Sequence, residues 1–125
     1  MENDNNQVNP GALTQLIVDM AVESWRFGKV FDRLLNKLDA GERSRYLSQF
    51  RWYLRKVEGS LAEAGMRMVN VEGHKFDPGI AATPLNIEDF QANDSLIVDQ
   101  MLEPIIMRNG DLVRTGTILL RKVDL

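Results

Sequence analysis

The sequence predicts an α+β fold: an N-terminal antiparallel helical hairpin followed by a small C-terminal β domain. Two apolar series, with alternating spacings of three and four residues, occupy roughly the first half of the chain. Short β-branched runs separated by Gly, Pro and Asn-Gly occupy the rest. We therefore expect three segments: a disordered N-terminus over residues 1–12, a helical hairpin over residues 13–64 and a β domain over residues 65–125.

Two amphipathic helices are predicted by apolar residues that repeat with heptad spacing. In the first helix one polar residue, Ser24, interrupts the series. Asp39 and Glu42 then have the spacing of a capping box, which predicts that the second helix begins there. Because the connection is short, the two helices should run antiparallel. The apolar members of the two series are Leu13, Ile17, Met20, Phe27, Phe31, Leu34 and Leu38, followed by Leu47, Phe50, Leu54, Val57, Leu61 and Ala64.

A single hairpin of this kind would leave one apolar flank exposed, with more aromatic area than a soluble monomer usually exposes. We therefore expect two copies of the chain to pack their hairpins into a dimeric four-helix bundle. The alternative is that the β domain folds back over this flank within one chain. The predicted dimer-interface residues are Phe27, Phe31, Leu34, Phe50, Leu54 and Val57.

Gly and Pro divide the second half of the chain into short extended segments. Gly65 is expected to end the second helix in a left-handed conformation. The residues that follow, 66–71, should form a strand that Gly73 interrupts. A turn is predicted over residues 76–79, and a further strand over residues 96–102.

The strongest β-hairpin signal is the pair Asn109-Gly110 between two β-branched runs. A type I′ turn needs positive φ at both central residues, and Asn-Gly adopts this conformation readily. Residues 105–107 should lead into the turn, and residues 112–123 should return from it as a strand.

The overall composition excludes several functional classes. A formal charge of −3 and an isoelectric point near 5.1 disfavour nucleic acid as the main partner, since phosphate binding needs a basic face. No apolar run approaches the ~20 residues that a membrane span needs, and the acidic, polar first residues are unlike a signal peptide. The absence of cysteine excludes disulfides and thiolate chemistry. These features predict a cytoplasmic protein with neither a nucleic-acid nor a membrane partner.

Residues suited to catalysis are scarce. His74 is the only histidine, and neither metal-ligand spacing nor a Ser-His-Asp set is present, so we expect no enzyme activity, no metal and no cofactor. Asp77 could serve as a base, but an Asp before Pro more often caps nearby backbone N–H groups. Arg114 either contacts a partner or pairs with Glu103 across the sheet. Trp52 either covers the edge of the bundle or anchors a partner.

These segments, in this order, resemble the GrpE family of nucleotide exchange factors for DnaK-type ATPase chaperones. Residues 65–69 and 76–80 resemble the family's block that begins with Gly-Val and ends with Asp-Pro, and residues 108–120 resemble its Asn-Gly hairpin. The two helices match the family's dimeric four-helix bundle, so the resemblance covers about residues 13–123. The chain departs from the family pattern in its lack of a long N-terminal stalk helix and in Asp111, where a basic residue is common.

The resemblance implies a non-catalytic co-chaperone in protein folding and the stress response. It would promote ADP release by docking its β domain into the nucleotide-binding cleft of a DnaK-type ATPase or a specialised relative. The departures keep a second interpretation open, in which a homodimeric adaptor with the same fold binds a specialised partner without exchanging nucleotide. By this resemblance the candidate partner-binding residues are Phe76, Asp77, Pro78, Leu102, Met107, Asn109, Asp111, Arg114 and Leu120.

Overall fold

A computed structural model describes residues 9–124 of the chain and has the predicted α+β architecture, two helices followed by a small β region. Helix α1 spans Pro10–Leu35 and helix α2 spans Ala40–Glu63. Gly28 lies against the ring of Phe50, and the Tyr53 hydroxyl donates to the Ser24 hydroxyl at 2.8 Å. Since later residues of α1 meet earlier residues of α2, the two helices form an antiparallel hairpin.

Both helices begin at a side-chain cap. The Asn9 side chain accepts a hydrogen bond from the Ala12 N–H at 2.7 Å, with Pro10 at the first helical position. Helix α1 therefore starts at Pro10 rather than Leu13, so residues 10–12 are helical where disorder was predicted. Of the rest of that predicted segment, Asn9 caps the helix, and residues 1–8 lie outside the described residues. The predicted cap Asp39 is confirmed, since its carboxylate accepts from the Glu42 N–H at 3.0 Å.

The change from helix to strand occurs at Gly65, as the sequence predicts. Its φ of 74° is in the left-handed region, and its N–H donates to the Ala62 C=O at 2.9 Å. A side chain here would also meet the Asn109 side chain at 3.0 Å. Helix α2 therefore passes directly into the β domain without a flexible linker.

The described residues of the β domain form six strands in two three-stranded sheets. Sheet A has the order β1-β4-β5, and sheet B has the order β2-β6-β3. A single 3₁₀ turn at Ile87–Asp89 separates β2 from β3. The strands are β1 (Met66–Val69), β2 (Ala82–Pro84), β3 (Leu96–Glu103), β4 (Ile105–Arg108), β5 (Asp111–Arg114) and β6 (Gly116–Lys122).

One long antiparallel ribbon, residues 66–76 against residues 96–108, joins the two sheets. At one end β1 pairs with β4, with Met66 opposite Arg108. Towards the other end Lys75 forms a bridge with Ile97, and the Phe76 N–H donates to the Leu96 C=O at 2.9 Å. The ribbon therefore has one end beside α2 and the other end at the start of β3.

The predicted Asn-Gly turn is confirmed, but the strand that returns from it is not continuous. Asn109 and Gly110 have φ values of 51° and 91°, as a tight hairpin turn requires. The predicted strand over residues 112–123 divides at Thr115 into β5, which pairs with β4, and β6, which pairs with β2 and β3. At this division Gly116 passes so close to the chain at Glu103 that an added Cβ would lie 2.9 Å from its carbonyl oxygen.

Among the described residues, buried apolar side chains form two clusters. The helices contribute buried residues to one of them, and Trp25 of α1 packs against the other. The cluster inside the β domain contains Val71, Ala82, Leu96, Val98, Met101, Ile105, Ile118 and Leu120. The second cluster contains Val18, Ala21 and Val22 of α1, Leu61 of α2, Met66 of β1 and Ile106 of β4. The hairpin and sheet A therefore share a core.

Replacing Gly116 by alanine tests the close approach that divides the return strand. The new methyl group would lie 2.9 Å from both the Glu103 carbonyl oxygen and the Met101 Cε. We expect Gly116→Ala to lower the free energy of unfolding by about 1–3 kcal/mol. Gly59→Ala is the matched control: apart from the backbone of α2 itself and the two neighbouring residues, no atom lies within 4 Å of a Cβ added there, so it should raise stability by about 0.5–1 kcal/mol. Urea unfolding followed by circular dichroism measures both, and equal stability of Gly116→Ala and wild type would contradict the packing described.

Candidate functional site

Helix α1 is held against the β domain through the backbone of Met101 in β3. Register shifts on both sides of Met101 interrupt the regular pairing of β3 with β6. The Trp25 indole N–H donates to the Met101 C=O at 2.9 Å, and the Met101 N–H donates to the Glu72 carboxylate at 2.8 Å. Met101 is fully buried, so these backbone groups depend on protein partners rather than on water.

Glu72 connects three parts of the molecule. Besides Met101, its carboxylate binds the Lys29 ammonium of α1 at 2.5 Å, and that ammonium lies 5.3 Å from the centre of the Trp25 ring. Partial burial raises the pKa of Glu72, but the hydrogen bonds from Lys29 and from the Met101 N–H together hold this pKa below its ordinary value of 4.5. Glu72, which lies in the segment after β1, is therefore ionised and connects this segment both to α1 and to β3.

A second group of charges joins α1 to the end of β3. Arg26 donates to the Glu103 carboxylate, which also accepts from the Thr117 hydroxyl at 2.9 Å. The hydrogen bond from Arg26 outweighs burial and lowers the pKa of Glu103 below 4.5. Arg114 lies 4.0 Å from Glu103 and 3.2 Å from Asp19 of α1. Of the two roles predicted for Arg114, pairing with Glu103 is therefore present, and Asp19 is a further partner that the sequence did not indicate.

Three predicted partner-binding residues lie where the ribbon meets the start of β3. Phe76 is half-buried against the core of the β domain, and its N–H donates a hydrogen bond to the Leu96 C=O. The Asp77 carboxylate accepts from the Gly79 N–H at 2.8 Å, so Asp77 has the capping role that was one of its two predicted alternatives. Pro78 is exposed in the same turn.

Three others lie at or near the opposite end of the ribbon. Asn109 and Asp111 are exposed at the β4–β5 turn, and Met107 is half-buried in β4. The Asn109 N–H donates to the Gly65 C=O at 3.1 Å, which places the turn beside the end of α2. The structure therefore separates these residues from the turn at residues 76–79 instead of bringing the two groups together.

The remaining two predicted partner-binding residues, Leu120 and Leu102, are also not exposed on a common docking face. Leu120 is only 3% exposed, because alternate residues of β6 point into the core. This burial corrects its assignment as a contact residue. Leu102 is half-buried in β3. The register shifts of β3 and the division of the return strand, which determine these positions, have no signal in the local sequence.

A row of exposed apolar side chains lies on the side of α1 opposite to the β domain. Val18 and Val22 of α1 pack into the core shared with sheet A, whereas Met20 and Phe27 are 71% and 62% exposed. Residues spaced by seven lie on one side of a helix, so these side chains form a single surface. We call it the apolar stripe: Leu13, Leu16, Ile17, Met20, Phe27, Val30 and Leu34, with Tyr53 of α2 beside it.

The predicted dimer-interface residues divide between this surface and the contact of the two helices. Phe27 and Leu34 belong to the apolar stripe. Phe31 and Phe50 are half-buried, with ring centres 5.4 Å apart. Leu54 and Val57 are also half-buried on α2. Met20 and Tyr53 lie on or beside the same surface but were not among the predicted residues, although Met20 occupies a heptad position.

Within residues 9–124, no group of three or more His, Asp or Glu residues could hold a metal ion. His74 is exposed in a bend. Neither described helix is long and apolar enough to cross a membrane.

Comparisons with protein-family models, with curated proteins and with solved structures gave no significant match.

The lowered pKa of Glu103 predicts a pH-dependent contribution to stability. A carboxylate whose pKa is lower in the folded state than in the unfolded state stabilises the fold when the pH is above its ordinary pKa of 4.5. This contribution disappears as the pH falls through the folded-state pKa. Glu103→Gln should therefore lower the urea midpoint at pH 7 and have little effect near pH 3. The control Glu88→Gln, at an exposed position of the 3₁₀ turn, should change neither midpoint. A loss of equal size at both pH values would show that the charge of Glu103 does not matter.

Proposed function

We propose that this chain is a homodimeric, non-catalytic co-chaperone that promotes ADP release from a DnaK-type ATPase. The observation that carries the proposal is the placement of the apolar stripe on one side of α1 and of a firmly held β domain on the other. A dimer formed through the stripe would leave both β domains free to dock. The motif resemblance supplies the class of partner, and the order of helices, Gly65 and Asn-Gly turn agrees with it.

The apolar stripe supports self-association because charged side chains of both signs border it. Glu23 adjoins Met20 and Phe27, whereas Arg33 and Lys37 adjoin Val30 and Leu34, and Lys56 lies on the α2 side. In a two-fold dimer each surface meets its own copy, so an acidic residue that borders one stripe can lie beside basic residues that border the other. This arrangement would bury the apolar side chains and pair the charges at the rim.

Phe27→Asp tests the proposed dimer without disturbing the folded monomer. The side chain is 62% exposed, so a charge there should leave the monomer folded but prevent the stripe from being buried. Light scattering at micromolar concentration should give about twice 14.2 kDa for the wild type and about 14.2 kDa for the variant. Leu112→Asp, a control at a half-exposed position on β5, should remain dimeric. A monomeric wild type would refute this dimer.

In the proposed mechanism, the β domain binds the open form of the ATPase cleft better than the closed form. A ligand that prefers one conformation shifts the equilibrium towards it, and reciprocal linkage then requires that the affinity for ADP falls. The β4–β5 turn is the best-placed contact, since Asn109 and Asp111 are exposed at its tip. No chemical step by this chain is needed.

The adaptor is a second candidate, and a specific observation favours it. The residues that the resemblance assigns to the partner lie at opposite ends of the ribbon, Arg114 is paired within the chain, and Leu120 is buried. A single docking face built from all of them is therefore not available. An adaptor would need only the β4–β5 turn or another local surface.

Release of a fluorescent ADP analogue from a DnaK-type ATPase distinguishes the two candidates. Exchange predicts that substoichiometric protein accelerates release, with no nucleotide hydrolysis by the protein itself. Asp111→Arg should increase the acceleration severalfold, because it places a basic residue where the resembled family commonly has one. Glu88→Arg, at an exposed position elsewhere on the β domain, is the matched control and should have no effect.

Firm binding to the ATPase with an unchanged rate of ADP release would contradict exchange and favour the adaptor. Absence of binding to any DnaK-type ATPase tried would remove the first candidate and leave the partner of the adaptor to be found.

A further inference from the structure

A cleft separates the helical hairpin from the edge of sheet A. Apolar side chains from three elements line it: Trp25 of α1, Phe50 and Leu54 of α2, and Met68 of β1. All four of these side chains are half-buried. The cleft lies on the side of the hairpin that faces the β domain, away from the apolar stripe.

The strand that borders this cleft has a free edge. Strand β1 is the first strand of sheet A, and within the described residues only β4 pairs with it. The Asn109 N–H donates to the Gly65 C=O, so the backbone of Gly65 is hydrogen-bonded to the strand side of the β4–β5 turn. In an antiparallel ladder every second residue is hydrogen-bonded to the same neighbour. Arg67 and Val69 are therefore hydrogen-bonded to β4, whereas the N–H and C=O of Met68 point away from β4. Met68 therefore offers a donor and an acceptor at the edge beside the cleft.

The charged side chains at the cleft indicate which kind of peptide it can bind. Asp32 of α1 and Glu58 of α2 line it, and neither has an ion-pair partner among residues 9–124. Lys29, the basic residue at the cleft, is already bound to Glu72 at 2.5 Å. The cleft is therefore acidic as well as apolar, which disfavours acidic segments such as residues 1–8 of this chain.

We propose that this cleft binds an extended peptide of a partner protein, which carries both apolar side chains and Lys or Arg on the face turned towards the helices. The peptide would add to the free edge of β1 as a fourth strand of sheet A. Its apolar side chains would contact Phe50 and Leu54, and its basic side chains would lie near Asp32 and Glu58. Four residues of β1, at about 3.3 Å each, match a peptide core of about four or five residues. The site does not depend on nucleotide exchange or on the apolar stripe.

Synthetic heptapeptides test both parts of the proposal with the intact chain. The probe is fluorescein-labelled Thr-Val-Thr-Lys-Thr-Val-Thr, in which both Val residues and the Lys lie on one face of the strand, and its acidic counterpart has Glu in place of Lys. Fluorescence anisotropy should show saturable binding of the basic peptide and at least roughly tenfold weaker binding of the acidic one. Two further basic peptides carry N-methyl groups on alternate residues. In an added strand only alternate peptide N–H groups point towards β1. The peptide that is N-methylated on these residues should therefore lose binding, and the other should keep it.

Protein variants locate the binding. Asp32→Lys and Glu58→Lys should each weaken the basic peptide roughly tenfold, while Glu88→Lys should not. Met68→Pro removes an N–H that points away from β4 and should abolish binding, whereas Met68→Ala keeps that N–H and should weaken binding much less.

Several results would overturn the proposal: no binding of the basic peptide, equal binding of the acidic peptide, equal binding of both N-methylated peptides, or no effect of either charge reversal. Peptide affinity that falls as protein concentration rises would mean that a second copy fills the cleft. Tighter peptide binding after removal of residues 1–8 would mean that this segment fills it. Either result would contradict the assignment to a partner peptide.

Discussion

The relative position of helices and sheets depends on how the buried backbone of Met101 is hydrogen-bonded. The bulges in β3 interrupt its ladder with β6, and an unpaired buried backbone group would cost about 1–3 kcal/mol. Trp25 supplies the donor for the Met101 C=O, and Glu72 supplies the acceptor for its N–H. Lys29 then binds Glu72. Because Trp25 and Lys29 are one turn apart on α1, these contacts determine both the position and the rotation of that helix.

This fixed rotation gives α1 three different sides. One side packs on α2, and a second packs on sheet A and β3 through residues such as Val22 and Trp25. The third side carries the apolar stripe and faces away from the β domain. A partner bound to the stripe would therefore be held rigidly relative to the β4–β5 turn and to the cleft beside β1. The proposed dimer, docking turn and peptide cleft occupy separate parts of this one scaffold and can act together.

Local chemistry in the sequence was sufficient to predict where elements begin and end, as at Asp39 and Gly65. It could not predict which side of α1 the β domain would cover, since Trp25 lies outside the heptad series. It also could not predict that residues 112–123 divide between two sheets, because the close approach at Gly116 involves residues distant in the chain. The candidate contact residues are scattered for the same reason. Residue types and order can be read from the sequence, but strand register decides which side chains reach the surface.

Native-state hydrogen exchange of the intact chain tests most directly whether α1 and the β domain form one cooperative unit. The amides of Val22 in α1 and Ile106 in β4 belong to the same core cluster. If Met101 and its partners hold the two elements together, both amides should exchange with opening free energies that agree within about 1 kcal/mol, since they open in one unit. A much lower opening free energy for Val22 than for Ile106 would mean that α1 detaches while the sheets stay folded, and it would contradict this account.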